Sequence, residues 1–275
     1  MSVRDKVVII TGGAMGVGRF VAGTFAAAGS KVAIADIAAI DTVCQEVTEL
    51  GADVLPVHTD ITRESDVKSL MQQVHGRWGR IDILINDAGI NPHFHVGSPR
   101  WPRIRDMSLE HFNKVMDTNL IGTFLCTKHV LPYMEALNAG HIINFGQGNV
   151  SEQRTPDAYV NIGTCVYNTS KVAIRAFTRH VADEEREFNV CIMSMGPGGS
   201  IDSREPERPR RSGPGIPGGG GGIVTSTSPE WARANEGSTM VEAVGNRYVI
   251  AAEAPIDFSG HQVVVRDGQL EIARD

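Results

Sequence analysis

The chain is poor in several features that would otherwise decide its class. Its 275 residues include only four cysteines, Cys44, Cys126, Cys165 and Cys191, widely spaced and with no Cys-x-x-Cys pair. That spacing excludes the dense disulfide framework of small secreted domains, and the thiols read as reduced core residues of a cytoplasmic protein. No apolar run approaches the roughly 18 residues of a membrane span, and Met1 to Lys6 leads into an apolar strand without a signal-like segment. Basic residues are not in excess either. The 26 Lys and Arg face 32 Asp and Glu, and the resulting charge of −6 offers no field attractive to nucleic acid.

What is present is ordinary globular material, 41% hydrophobic and 21% charged. A chain of this length buries roughly three quarters of the surface it exposes unfolded, so a single large domain over residues 1–275 is expected, with no metal or disulfide staple. Short apolar runs recur at Val7–Ile10, Val32–Ala35, Val54–Val57, Ile81–Ile85, His141–Phe145, Asn189–Met193 and Gln262–Val265, with helix-length segments between them. This alternation predicts an α/β fold with a doubly wound parallel sheet. The first helix is expected to start near Gly16 and to run to Ala28, where Gly29 stops it. From about 200 to 228 the chain turns to arginine, proline and a run of five glycines, Gly218 to Gly222. That stretch cannot build a core and reads either as a lid over a pocket or as a flexible surface insertion.

The strand Val7–Ile10 runs into Thr11-Gly12-Gly13-Ala14-Met15-Gly16-Val17-Gly18 and then into a helix. Glycines in that setting let the backbone turn tightly and approach a pyrophosphate, while the helix N-terminus offers free N–H groups to it. Gly12, Ala14, Met15, Gly16, Val17 and Gly18 are therefore expected to bind a dinucleotide. Asp36 ends the next strand, 18 residues after Gly18, near the spacing at which a carboxylate reaches the adenosine ribose. A 2′-phosphate there would set two anions close together, at a cost of a few kcal/mol at an effective dielectric near 20. NAD is thus favoured over NADP, and Ile37 follows Asp36 at the rim. The competing use of Asp36 is as a cap for the segment Ile37–Ala39.

Together with Asn86-Asp87-Ala88-Gly89, Asn119 and Tyr167-Asn168-Thr169-Ser170-Lys171, the glycine turn makes the chain resemble the short-chain dehydrogenase/reductase family from about Val3 to Pro197, and again at the closing strand. The resemblance implies a Rossmann-type fold. It implies adenine contacts from Asp60 and Ile61, support of the central sheet beside the cofactor by Asn86, Ala88 and Gly89, and a cover over the nicotinamide from Pro197 and Gly198. It also implies an NAD-dependent oxidoreductase that interconverts a secondary alcohol and a ketone. Tyr167 would be the proton donor and acceptor, Lys171 would hold the nicotinamide ribose, and Asn119 would anchor a water in a proton relay. Residues four apart share a helix face, so the phenol and the ammonium can share one site. Tyrosine titrates near pH 10, and work near neutrality needs a fall of about two to three units, which Lys171 with an oxidised nicotinamide is expected to supply. A small-molecule alcohol or ketone as substrate and a homotetramer or homodimer, with the Tyr167 helix at an interface, complete the implied picture.

The chain also departs from the family's pattern. Where a catalytic serine normally follows the fifth strand, it reads Ile143-Asn144-Phe145-Gly146-Gln147-Gly148, and the interval from Gln147 to Tyr167 is longer than usual. The Gln147 amide takes the serine's place, or Ser151 is carried in by the longer loop, or the donor is absent. Losing such a donor typically costs about 10²–10³ in rate. Asp87 stands where the family commonly has asparagine, and Asp202 where a threonine would meet the nicotinamide, with Ser200 or Ser203 as substitutes. The long segment Asn91–Met107 brings His93, His95, Arg100, Trp101, Arg103 and Arg105 toward the substrate mouth. The His93-x-His95 pair has no clear third ligand nearby, so no metal is expected. The competing reading of the whole chain is a dinucleotide-binding sensor or assembly subunit with impaired chemistry.

Overall fold

The computed structural model describes residues 2–90, 102–146, 164–196, 201–202, 224–225, 239–266 and 268–273. All seven expected strands form: β1 (Val7–Thr11), β2 (Lys31–Asp36), β3 (Val54–His58), β4 (Ile83–Asn86), β5 (Gly140–Phe145), β6 (Val190–Met195) and β9 (Gln262–Arg266). They pair in parallel in the order β3-β2-β1-β4-β5-β6-β9. An eighth strand, β10 (Gln269–Ile272), was not expected and closes the edge antiparallel to β9. Two-residue strands β7 (Ile201–Asp202) and β8 (Val224–Thr225) pair separately.

Residues of opposite parity along each strand feed two cores, as a sheet covered on both faces requires. On one face Val8, Ile10, Val32 and Ile34 pack with α1 (Gly16–Ala27), α2 (Asp41–Glu49) and the last helix, α7 (Thr239–Ala252). On the other, Val7, Ile9, Ala33 and Leu84 meet α3 (Glu64–Trp78), α5 (Gly122–Leu137) and the end of α6 (Cys165–Glu184). The helix α4 (Leu109–Met116) runs through a π-helical turn, Asp117–Ile121, into α5. The expected first helix is present, with Gly29 just beyond it in the left-handed region at φ 87°.

The strand order reverses between β1 and β4, so their carboxyl ends splay apart and open the crevice where such sheets bind ligands. Among the described residues, the glycine turn follows β1 and the Asn86–Gly89 segment follows β4, with Asp36 at the carboxyl end of the neighbouring β2. A cavity of about 400 Å³ near Lys6, Asp82, His141 and Cys191 lies at the amino ends of the strands instead, away from the crevice. Among the described residues, no helix is long and apolar enough to cross a membrane.

Candidate active site

The glycine turn is tight for a measurable reason. A Cβ on Gly18 would stand 2.3 Å from the Gly12 carbonyl oxygen, and one on Gly12 would stand 2.7 Å from the Ala88 Cα. Gly12 also sits at φ 72°, a conformation costly for other residues. The turn is thereby pressed against the Asn86–Gly89 segment, and Thr11 Oγ1 ties the two, accepting from Ala88 N–H at 3.3 Å and donating to the Ile85 carbonyl at 3.3 Å. α1 begins with no side-chain cap and no acidic residue in its first turn. The first turn of α1 therefore carries no anion of its own.

Asp36 stands at the rim of this turn. One carboxylate oxygen accepts from Ala14 N–H at 3.0 Å and the other from Ala38 N–H at 2.9 Å. No helix follows at Ile37–Ala39, so the bond to Ala38 closes a bend and does not cap a helix, while the bond to Ala14 fixes the carboxylate beside the glycine turn. Ile37, 65% exposed, follows it. Arg19 on α1 pairs with Glu46 on α2, which neutralises a cation near this end of the helix. Asp60 accepts from both the backbone and hydroxyl of Thr62. Ile61 is buried against the start of α5, where Gly122 leaves room for it.

Below the crevice a buried polar ladder crosses the sheet. Asn86 Nδ2 donates to Asn144 Oδ1 at 2.8 Å, and Asn144 Nδ2 donates to Thr178 Oγ1 on α6 at 2.9 Å. It ties β4 to β5 and α6 through partners that sequence spacing did not reveal.

Asn119, Tyr167 and Lys171 come together. Asn119 is fully buried in the π-helical turn, a local widening frequent at functional sites. Its Nδ2 donates to Ser170 Oγ at 3.0 Å and to the Ile90 carbonyl at 3.1 Å, while its Oδ1 accepts from Ile90 N–H at 2.7 Å. The Asn119 side chain thus locks the segment after β4 to the helix bearing Tyr167. Lys171, 2% exposed, donates from Nζ to the Phe145 carbonyl at 2.9 Å, with Nζ 4.1 Å from the Phe145 ring centroid and 5.6 Å from that of Tyr167. The position a Gly89 Cβ would take is 3.1 Å from Asn119 Oδ1 and 3.6 Å from Lys171 Nζ, so Gly89 shares the cluster.

The expected fall at Tyr167 joined Lys171 to an oxidised nicotinamide, and the protein's own groups act the other way. Tyr167 is shifted above its ordinary value, by burial first and by the Asp87 carboxyl second, so Lys171 does not make it acidic in the protein by itself. Burial also lowers Lys171 to about 8, against the pull of Asp87. The sequence arithmetic counted the ammonium and left out the desolvation of both groups. Asp87 proves more central than its departure from pattern suggested, because it acts on Tyr167, on Lys171 and on Tyr248 of α7. Nothing in local spacing pointed to Tyr248.

Gln147, Ser151, Pro197, Gly198, Ser200 and Ser203 lie outside the described residues, as do His93, His95, Arg100, Trp101 and most of the segment 200–228. Among the described residues, no group of three His, Cys, Asp or Glu could hold a metal.

Comparison with known proteins agrees with this arrangement. The family model for short chain dehydrogenases matches residues 6–204. The chain is 33% identical over 195 residues to momilactone A synthase of Oryza sativa subsp. japonica, covering 70% of this chain and 66% of that protein. It is 31% identical over 195 residues to L-fucose dehydrogenase of Bos taurus, covering 70% and 65% respectively. The matched part therefore spans about two thirds of these relatives' length. Among solved structures, NAD+-bound xylitol dehydrogenase superposes with a TM-score of 0.62 at 26% identity, over 72% of this chain and 71% of that one. A hydroxysteroid dehydrogenase from Escherichia coli gives 0.60 at 28% identity, over 73% and 76%. The ordered motifs, the strand order and these matches agree: the chain belongs to the short-chain dehydrogenase family.

Proposed function

We propose that the protein is an NAD-dependent oxidoreductase that interconverts a secondary alcohol and a ketone. The observation that carries this reading is the meeting of Asn119, Tyr167 and Lys171 in the crevice that also holds the glycine turn. The glycine turn fits a dinucleotide, since a Cβ at Gly12 or Gly18 would fill the space into which the backbone folds. The turn and the N-terminus of α1 would hold the pyrophosphate, Asp36 the adenosine ribose, and Lys171 the nicotinamide ribose. When bound, NAD supplies a hydride acceptor at its nicotinamide C4.

The chain's own residues handle the proton. Tyr167, half-buried and one helical turn before Lys171, would present its hydroxyl to an alcohol or carbonyl oxygen, taking the proton in oxidation and returning it in reduction. Lys171, anchored on the Phe145 carbonyl, supplies positive charge beside the phenol. Asn119 keeps the segment through Ile90 fixed while this happens. The upward shift of Tyr167 favours the protonated phenol, so alcohol oxidation should call for alkaline conditions. Phe124 of α5, 39% exposed, meets Phe177 of α6 edge-on, and with Ile121 of the π-helical turn, 42% exposed, it offers an apolar surface suited to a homodimer or homotetramer.

A screen for NAD reduction over a panel of secondary alcohols tests the reading. Turnover that disappears in Tyr167→Phe while NADH binding is retained is the expected result. A variant with wild-type turnover would remove Tyr167 from the mechanism. NADH binding without turnover of any alcohol or ketone would favour the sensor reading.

A further inference from the structure

The carboxyl of Asp87 is a charge that the reaction above does not use. Among the described residues, its Oδ1 is shielded from solvent and lacks a hydrogen bond of good geometry, and the same is true of Tyr248 Oη, which faces the carboxyl from a residue that is 0% exposed. Among the described residues, four elements face it. α1 presents the Gly18 N–H, which donates to the carboxyl. α6 presents the Lys171 ammonium and the Tyr167 phenol. β2 ends in Asp36, a second anion acting on Asp87. α7 presents Tyr248 against the carboxyl, with Arg247 acting on Tyr248 from the same helix. α7 reaches this point because Gly245 lets it approach Thr24 of α1, where a Cβ would stand 1.9 Å from Oγ1.

Gly18 belongs to the first turn of α1, the helix end that the dinucleotide reading assigns to the pyrophosphate. An ionised Asp87 therefore sits on the inner side of that end and offsets part of its positive potential. Tyr248 serves either form of the carboxyl, donating to the carboxylate or accepting from the acid, so a proton can enter or leave without repacking. Burial is the largest influence on Asp87 and pushes it up to about 7, within reach of neutral pH.

We propose that Asp87, backed by Tyr248, is an internal anion that competes with the dinucleotide's phosphates for the N-terminus of α1, so that the dinucleotide binds together with a proton taken up at Asp87. This rests on the reading of the glycine turn as a dinucleotide site. It assigns to Asp87 a positioning role in affinity, separate from hydride or proton transfer. The aspartate makes dinucleotide affinity pH-dependent across neutrality, where an asparagine would leave it flat.

The test is NADH fluorescence titration between pH 5.5 and 8.5 at fixed ionic strength, with wild type, Asp87→Asn and Tyr248→Phe. Wild-type Kd should weaken several-fold above pH 7, toward the tenfold per pH unit of one linked proton. Asp87→Asn should bind with a nearly constant Kd, tighter than wild type at pH 8.5 by the factor wild type has lost. In Tyr248→Phe, which removes the hydroxyl facing the carboxylate, the wild-type slope should move to higher pH. Proton uptake counted calorimetrically on wild type in two buffers of different ionisation heat needs no variant, and should give a substantial fraction of one proton near pH 7. A slope that persists unchanged in Asp87→Asn, or no proton uptake by wild type, overturns the proposal and leaves the dinucleotide site standing. NADH that fails to bind any of the three proteins at any pH overturns both.

Discussion

Asn119 grips both polar groups of Ile90, accepting its N–H at 2.7 Å and donating to its carbonyl at 3.1 Å, from a turn that is itself π-helical. A side chain holding one residue by the N–H and the carbonyl of its two flanking peptide units fixes position and direction together. Asn119→Ala should therefore leave two partly buried backbone groups without partners and cost about 2–6 kcal/mol, at about 1–3 kcal/mol for each group. Chemical denaturation at neutral pH measures this directly. A variant as stable as wild type would mean that the Ile90 contact is not maintained in solution.

Asp36 is held by Ala14 and Ala38, and a carboxylate fixed by two N–H groups cannot easily swing away from a 2′-phosphate. The protein should bind NADH more tightly than NADPH, and Asp36→Ala should narrow the gap by tenfold or more, since the lost repulsion is of order a few kcal/mol. NADH itself should bind the variant several-fold more weakly, because Ala14 loses its anchor. Equal wild-type affinities for the two cofactors would defeat this assignment.

The strands were readable because runs such as Val7–Thr11 are buried along their whole length, and only a sheet covered on both faces uses such runs. β10 escaped notice for the opposite reason. Its Gln269-Leu270-Glu271-Ile272 is mostly exposed, and a left-handed Gly268 and its pairing to β9 define it more than any apolar pattern does. At the site, the spacing of Tyr167 and Lys171 foretold their neighbourhood but not the sign of the shift at Tyr167. That sign depends on burial and on Asp87, neither of which a local spacing records. The Asp87 and Tyr248 pairing depends on two helices crossing at Gly245 and Thr24, far apart in the chain.

The carboxyl of Asp87 also leaves a mark on stability. Its folded value, pushed up to about 7 chiefly by burial, stands above an unfolded value near 3.8. Between those limits the unfolded chain releases a proton that the folded protein keeps, so stability falls as pH rises from about 4 to about 7. Asp87→Asn should lack this loss and gain up to roughly 4 kcal/mol over wild type at pH 8, with little difference at pH 4. Urea denaturation of both proteins at the two pH values decides it. A difference that does not change with pH would show that Asp87 is solvated in the folded protein.

Lys171 presents the opposite sign. Burial lowers it to about 8 from an ordinary value of 10.5, so the folded protein gives up this proton before the unfolded chain does. Its contribution is fully present above pH 10.5 and is lost as pH falls through about 8, a difference of roughly 3 kcal/mol at 1.4 kcal/mol per unit. Lys171→Met keeps the volume of the stem and removes the charge. It should lack the rise in stability between pH 8 and 10.5, and at neutral pH it should equal or exceed wild type even though the Phe145 carbonyl loses its donor. The same variant should lose about 10²-fold or more in alcohol oxidation, because the charge beside the phenol is gone. Stability retained with turnover abolished would identify Lys171 as a charge buried at a cost for the sake of chemistry. A variant that unfolds at neutral pH, where wild type does not, would instead make the contact with Phe145 a structural requirement of the fold.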